Sequence, residues 1–110
     1  MNELPPATLA LRIREQLELL REILIREDEK NWLRGLDLCI ARLPESPAND
    51  DACLLKLRDV AAIYRSMTAG AGSFADFHVW RSDFEERVRL NRQLGQVRNQ
   101  LWLLLEEAPH

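Results

Sequence analysis

Apolar side chains recur every three or four residues over four long stretches of this 110-residue chain. That spacing is the period of an α-helix with one buried face, and no stretch alternates apolar and polar residues long enough to indicate a strand. All five prolines stand outside the periodic stretches, where they separate helices. The pattern predicts an all-α antiparallel helical bundle of four main helices plus one short helix, in a single domain over residues 1–110.

Capping residues and helix breakers set the expected bounds of these elements. The first expected helix starts near Thr8, its N-cap, and runs to about Arg26. The second is Glu29–Leu43 after a cap at Asp28, and the third runs from a cap at Asn49 or Asp50 to about Met67. A short segment, Phe74–Trp80, and a last helix, Ser82–Glu107, with a capping box of Ser82 and Glu85, complete the set.

The apolar stripes of the helices define the predicted core. Two of its members are cysteines, which we interpret as reduced buried thiols rather than a disulfide. Gly35 interrupts the second helix, where it permits close packing. The stripe residues are Leu9, Ile13, Leu17, Leu20 and Leu24; Trp32, Leu36, Cys39 and Leu43; Cys53, Leu57, Val60, Tyr64 and Met67; and Leu90, Leu94, Val97, Leu101 and Leu104.

The net charge of −3 disfavours nucleic acid and anionic membranes as partners, because an acidic protein gains no general attraction to phosphate. The N-terminus has no basic region followed by an apolar run, and no stretch is apolar for long enough to span a bilayer. We therefore expect a cytoplasmic protein without a membrane partner.

Residues suited to catalysis or metal binding are few. Nucleophilic catalysis needs a histidine base beside a nucleophile, and the chain has only His78 and the terminal His110. The spacings typical of zinc and di-iron sites do not occur. The sequence therefore predicts a protein that is not an enzyme and that holds neither a metal nor a cofactor.

A glycine-rich loop, Gly70-Ala71-Gly72, precedes the short helix, and Ser73 with Asp76 resembles a capping box. Such a loop could cradle an anion at a helix N-terminus, but Ser73 and Asp76 compete for the same backbone donors. A tight turn between helices is the simpler interpretation.

A polar stripe of Arg87, Asn91 and Arg98 runs along the last helix. One interpretation is an internal salt bridge or a boundary stripe, since an unpaired buried charge is costly. The other is a groove, lined also by Tyr64 and Trp80, that receives a partner; Arg, Trp and Tyr often anchor interfaces.

Two further features bear on partners. The arginine-rich stretch 81–98 suggests, as an alternative function, a small regulator that binds nucleic acid with the last helix. Several large apolar residues miss the main stripes, which favours a homodimer or another packing surface. They are Leu11, Ile25, Leu38, Leu55 and Ile63.

The segment from Tyr64-Arg65-Ser66-Met67 through Gly70-Ala71-Gly72-Ser73-Phe74-Ala75-Asp76, with Asn91 in the following long helix, resembles the signature of small bacterial all-helical families of uncharacterised function. This chain has Ala75 where the usual form has Asn. Small acidic proteins of this kind resemble immunity proteins that neutralise bacterial toxins. The resemblance implies a non-enzymatic immunity or antitoxin-like inhibitor whose partner is a protein.

The expected partner-binding surface lies beside the glycine-rich loop, with Tyr64, Trp80 and Arg87 as anchors. Two acidic residues, Asp50 and Asp51, would steer a basic partner toward it. The other members of the predicted site are Gly70, Gly72, Ser73, Asp76 and Asn91.

Overall fold

Four α-helices and one short 3-10 helix form the part of the chain that the structure, a computed structural model, describes: residues 4–43, 49–69 and 74–108. The helices are α1 (Pro6–Arg26), α2 (Leu33–Arg42), α3 (Asp50–Thr68) and α4 (Phe84–Glu106), and the 3-10 helix is Phe74–Asp76. No strand occurs in these ranges. The predicted all-α bundle of four main helices and one short helix is confirmed.

Helix α1 lies at the centre and packs against the three other main helices. The backbone N–H of Leu4, just before α1, donates to the carboxylate of Glu107, just after α4, at 3.3 Å. At the other end of α1, Arg26 donates to the side chain of Gln93 at 3.2 Å. Helices α1 and α4 are therefore antiparallel neighbours.

Arginine side chains tie α2 to both of its neighbours. Arg14 on α1 donates to the carbonyls of Ile40 and Leu43 at 3.0 and 2.9 Å, at the C-terminal end of α2. Arg42 on α2 donates to Asp59 on α3 at 3.3 Å. These contacts hold α2 against both α1 and α3.

The core consists of the apolar stripes that the sequence predicts. All the predicted stripe residues of α1, α3 and α4 are buried except Met67, which is half-buried, and so are the three residues that follow Trp32 in the second stripe. Burial of one such side chain stabilises the fold by about 1.5–3 kcal/mol. Both cysteines are free and buried, as predicted.

The junction between α1 and α2 differs from the prediction. Asp28 does not cap α2; it ends α1 in the left-handed conformation, with φ of 54°. Its N–H donates to the carbonyl of Ile25 and the N–H of Glu29 to that of Leu24, at 3.1 and 2.9 Å, which is the Schellman pattern. Because this motif and a turn take up the following residues, α2 begins at Leu33 rather than at Glu29.

The start of α1 also differs, because Thr8 lies inside the helix and is not its cap. The N–H of Ala7 instead donates across the bundle to the Asp50 carboxylate at 3.3 Å. The predicted cap of α3 is confirmed at Asn49, whose side chain accepts from the N–H of Ala52 at 3.0 Å.

The region before α4 contains less helix than predicted. The expected short helix Phe74–Trp80 ends at Asp76, and the chain then runs without helical hydrogen bonds to the start of α4. The expected capping box at Ser82 is wrong: the side chain of Asp83 caps α4 by accepting from the N–H of Glu86 at 2.8 Å.

The two helical glycines provide a test of the packing. A Cβ at Gly95 would meet nothing within 4 Å beyond the backbone of its own helix and its chain neighbours, whereas one at Gly35 would lie 2.6 Å from Sδ of Met67. We expect Gly95→Ala to raise the free energy of unfolding by about 0.5–1 kcal/mol. Gly35→Ala should give a less stable protein than Gly95→Ala, because Met67 must move.

Urea unfolding of the two variants beside wild type measures the difference. Equal stabilisation by both substitutions would show that α2 and α3 do not need the close approach at Gly35.

Candidate functional site

Residues 74–83, which we call the connector, lie alongside α4 and run antiparallel to it. Their backbone is held by the side chain of Asn91, the middle residue of the predicted polar stripe. Asn91 Oδ1 accepts from the N–H of Val79 at 2.8 Å, and Nδ2 donates to the carbonyl of Val79 at 2.9 Å. Nδ2 also donates to the carbonyl of Arg87 at 2.9 Å. One amide thus satisfies both backbone groups of a buried, non-helical residue.

Arg98 holds the other end of the connector. Its Nη1 donates to the carbonyl of Ala75 at 3.2 Å and its Nη2 to the carbonyl of Phe77. The guanidinium lies over the ring of Phe74, 4.9 Å from its centre. Burial lowers the pKa of Arg98. Within the described ranges no carboxylate lies within ion-pair distance of Arg98, so carbonyl dipoles and the ring stabilise its charge.

An aromatic cluster beneath the connector joins it to α3 and to the start of α2. Phe74 is fully buried, with its ring centre 5.4 Å from that of Trp32 and 6.3 Å from that of Tyr64. Tyr64 meets Phe74 edge-on, and its burial raises the pKa of its hydroxyl to about 12. Tyr64 and Phe74, the two aromatic residues of the segment 64–76, therefore pack against each other beneath the connector.

An ion pair holds the connector to the end of α1. Arg81 donates from both terminal nitrogens to the Glu27 carboxylate, at 2.6 and 2.8 Å, and from Nε to Glu86 at 3.2 Å. The hydrogen bonds from Arg81 hold the pKa of Glu27 below its ordinary value of 4.5, although burial acts in the opposite direction. This bidentate geometry is the strongest form of a protein ion pair.

Between these two fixed points the connector exposes a tryptophan. Trp80 is 71% exposed and Phe84, at the first position of α4, is 65% exposed. The guanidinium of Arg87 lies over both rings, 4.5 Å from the centre of Trp80 and 5.4 Å from that of Phe84. We call these three residues the aromatic patch. In the described part of the chain, no carboxylate pairs with Arg87.

A groove of about 450 Å³ lies further along α4, between that helix and the end of α3. Gly95 and the half-exposed Trp102 form part of its floor, and Tyr64 lies in its wall. The residues that line it are Tyr64, Thr68, Ala75, Gly95, Arg98, Asn99 and Trp102.

The predicted site residues fall into separate places. Trp80 and Arg87 lie together in the aromatic patch, whereas Tyr64 is buried and lines the groove instead. The side chain of Asn91 forms hydrogen bonds with the backbone of the connector at Val79. Gly70, Gly72 and Ser73 lie outside the described residues, as does the side chain of Asp76, whose backbone belongs to the 3-10 helix.

The two steering aspartates, Asp50 and Asp51, lie at the opposite end of the bundle. Both are exposed in the first turn of α3, about 21 Å along the helix from Tyr64 at 1.5 Å per residue. Their negative charges interact favourably with the dipole at the N-terminus of α3. Asp50 also accepts a hydrogen bond from the N–H of Ala7 in the first turn of α1. The structure does not bring them beside the aromatic patch.

Three of the five arginines in the stretch 81–98 make internal contacts. Arg81 pairs with carboxylates, Arg87 stacks on two rings and Arg98 binds the connector, while Arg89 and Arg92 are exposed. A nucleic-acid interface needs several arginines on one open face. This arrangement offers little support for the nucleic-acid alternative.

Groups that could support catalysis or hold a ligand chemically are sparse. His78 is exposed, and both cysteines are buried, where burial raises the pKa of Cys39 to about 11. Across the described ranges, no three His, Cys, Asp or Glu side chains gather as a metal site would require. Nor does any helix there combine the length and apolar character needed to cross a membrane.

Comparison with known protein families, with curated proteins and with solved structures gives no match for this chain. The site must therefore be interpreted from its own geometry.

Sequence reasoning missed Gly95 and Trp102 as surface features of α4. A signal was present, because Val88, Gly95 and Trp102 recur every seven residues. That repeat lies on the exposed side of α4, away from the buried leucine stripe, and the leucine pattern dominates the periodicity of the helix.

The connector depends on Asn91, which gives a direct test. We expect Asn91→Ala to destabilise the fold by about 1–3 kcal/mol, because the buried N–H and carbonyl of Val79 lose their partners. Amide hydrogen exchange at Val79 should accelerate, while Asn99→Ala, an exposed change on the same helix, should alter neither quantity. Unchanged protection of Val79 in Asn91→Ala would contradict this role.

The Glu27–Arg81 ion pair makes stability depend on pH. A carboxylate whose pKa is lower in the folded than in the unfolded state stabilises the fold above the unfolded value, and loses that contribution as pH falls through the folded value. The free energy of unfolding should therefore fall below pH 4.5 in part because of Glu27.

Urea titrations from about pH 7 to about pH 3 should show a shallower acid dependence for Glu27→Gln than for wild type. Glu22→Gln, on the exposed side of the same helix, is the control. An identical slope in Glu27→Gln and wild type would contradict the assignment.

Proposed function

We propose that this chain is a non-enzymatic protein-binding module whose partner docks on the aromatic patch of Trp80, Phe84 and Arg87. The observation that carries the proposal is the strongly exposed Trp80, whose neighbours in the chain, Val79 and Arg81, are both held by hydrogen bonds to other elements. Exposed large side chains are common singly, but Trp and Arg are among the types that most often anchor protein interfaces.

The rigidity of the patch supports a role in binding. Asn91 fixes the backbone of Val79 on one side of Trp80, and Glu27 fixes Arg81 on the other. Arg87 in turn stacks on the Trp80 ring. Ordering of side chains and loops is a main cost of association, and a patch that is already ordered avoids most of that cost.

Within this class we propose an immunity or antitoxin-like inhibitor that neutralises a bacterial toxin. This finer proposal comes from the resemblance of the segment 64–76 to small bacterial helical families and from the acidic net charge of −3. An acidic inhibitor attracts a basic toxin over long range, while the aromatic patch provides the short-range contact.

Purification from the native host tests the proposal. Wild type should retain a stoichiometric protein, Trp80→Ala should lose it, and Leu55→Ala, at another strongly exposed apolar site, on α3, should keep it. Loss of one central aromatic anchor typically weakens binding by about 2–4 kcal/mol.

Expression of the captured protein alone should arrest growth, and co-expression of this chain should restore it. Recovery of wild type without a partner, or equal capture by Trp80→Ala, would refute binding at the patch. A captured protein that does not affect growth would refute the toxin assignment alone.

A further inference from the structure

The groove between α3 and α4 has the size of a small-molecule site and lies apart from the aromatic patch. Its volume of about 450 Å³ falls within the range of about 300–1,000 Å³ that is typical of such sites. Arg98, which lines it, is 14 residues from Phe84, and this corresponds to about 21 Å of helix. The groove is therefore separate from the surface proposed for a protein partner.

Arg98 brings hydrogen-bond donors to the groove that the described protein does not use. A guanidinium has five N–H groups. Nη1 donates to the carbonyl of Ala75 and Nη2 to that of Phe77, and Arg98 makes no other hydrogen bond with the described residues. Nε is buried without a partner. Because Arg98 and Ala75 both line the groove, the remaining N–H of Nη1 lies beside it.

Tyr64 brings a second polar group to the same place. Its ring is buried against Phe74, and the residue lines the groove. Across residues 4–43, 49–69 and 74–108, nothing forms a hydrogen bond with its hydroxyl. Burial raises the pKa of this hydroxyl, and the charge of Arg98 opposes that effect because the two groups are close. A hydroxyl and a guanidinium in one hollow favour an acceptor that binds both.

The floor of the groove is open and aromatic. Trp102 is 51% exposed, and Gly95 lies within about 20° of it around the helix axis. Glycine disfavours a helix interior, and the described packing does not require it here, because a Cβ would meet no neighbouring atom within 4 Å. The missing side chain leaves room for a planar ring beside the indole.

The charge of Arg98 is not neutralised by the protein that the structure describes. No other charged residue is among the described residues that line the groove, and no described carboxylate is within ion-pair distance. The two carbonyls and the Phe74 ring that contact Arg98 are neutral, and burial lowers its pKa. A half-buried cation with unused donors is stabilised by an anion more than by a neutral acceptor.

We propose that the groove binds a small aromatic molecule that carries a carboxylate. The carboxylate accepts hydrogen bonds from Arg98 and Tyr64, and the ring lies against Trp102 over Gly95. Arg98 and Trp102 are four residues apart, about 6 Å along α4, a separation that one such molecule spans. This inference goes beyond the proposed function and does not depend on it.

Titration of the folded, full-length protein, followed by nuclear magnetic resonance, tests the site. The probes are benzoate, 2-naphthoate and indole-3-acetate, each beside the amide of the same shape. We expect at least one carboxylate to shift the indole N–H signal of Trp102 and the Nε–H signal of Arg98, while the signals of Trp80 stay in place. The matching amide should bind at least about tenfold more weakly, because it lacks the charge that pairs with Arg98.

Two variants separate binding from folding. Tyr64→Phe removes only a hydroxyl that the described protein does not use, so it should weaken binding by about tenfold and leave the urea midpoint unchanged. Gly95→Leu fills the floor and favours the helix, so it should abolish binding in a protein at least as stable as wild type. Gln96→Leu adds the same side chain at the next, exposed position and should bind as wild type does.

Several outcomes would overturn the proposal. They are dissociation constants above about 1 mM for every probe, amides that bind as well as carboxylates, or equal binding by Tyr64→Phe, Gly95→Leu and wild type. Shifts confined to Trp80 would place the ring on the aromatic patch instead. Capture of a protein partner is measured separately with Trp80→Ala, so either result can fail without the other.

Discussion

The pairing of the Asn91 side chain with both backbone groups of Val79 is the interaction on which the connector and the aromatic patch depend. A chain segment that crosses a helical protein without being helical must find partners for its backbone polar groups, or remain in water. Because Val79 is buried, water cannot supply partners for its backbone N–H and carbonyl. The amide of Asn91 supplies one acceptor and one donor at the right separation, and its Nδ2 also bonds to the helix at Arg87.

Other contacts extend this pairing into a fixed platform. Arg98 binds two carbonyls of the connector, and Arg81 binds Glu27 at the end of α1. Phe74 fills the space beneath the connector against Tyr64. The residues that could have formed an open polar groove are thus used to position the connector. What they leave exposed is the aromatic patch, and the groove lies further along α4.

The fold could be predicted from the sequence because the apolar stripes leave few alternatives. Leu9, Ile13 and Leu17 follow one another at every fourth position of α1, and all three are buried. Helix ends were less predictable. Asp28 is as suitable for starting a helix as for ending one, and only the Schellman hydrogen bonds to Ile25 and Leu24 decide between the two.

The sequence by itself determined the helical class, the core and the presence of a polar stripe on the last helix, because these depend on spacing along one chain. Tertiary structure decided what the stripe does, which end of the bundle holds Asp50 and Asp51, and which aromatic residues remain exposed. Those outcomes depend on how a non-periodic segment lies across its neighbours. Local spacing contains no information about how that segment lies. The partner of Asn91 is in the irregular connector, and Glu27, a partner of Arg81, is 54 residues away in the chain.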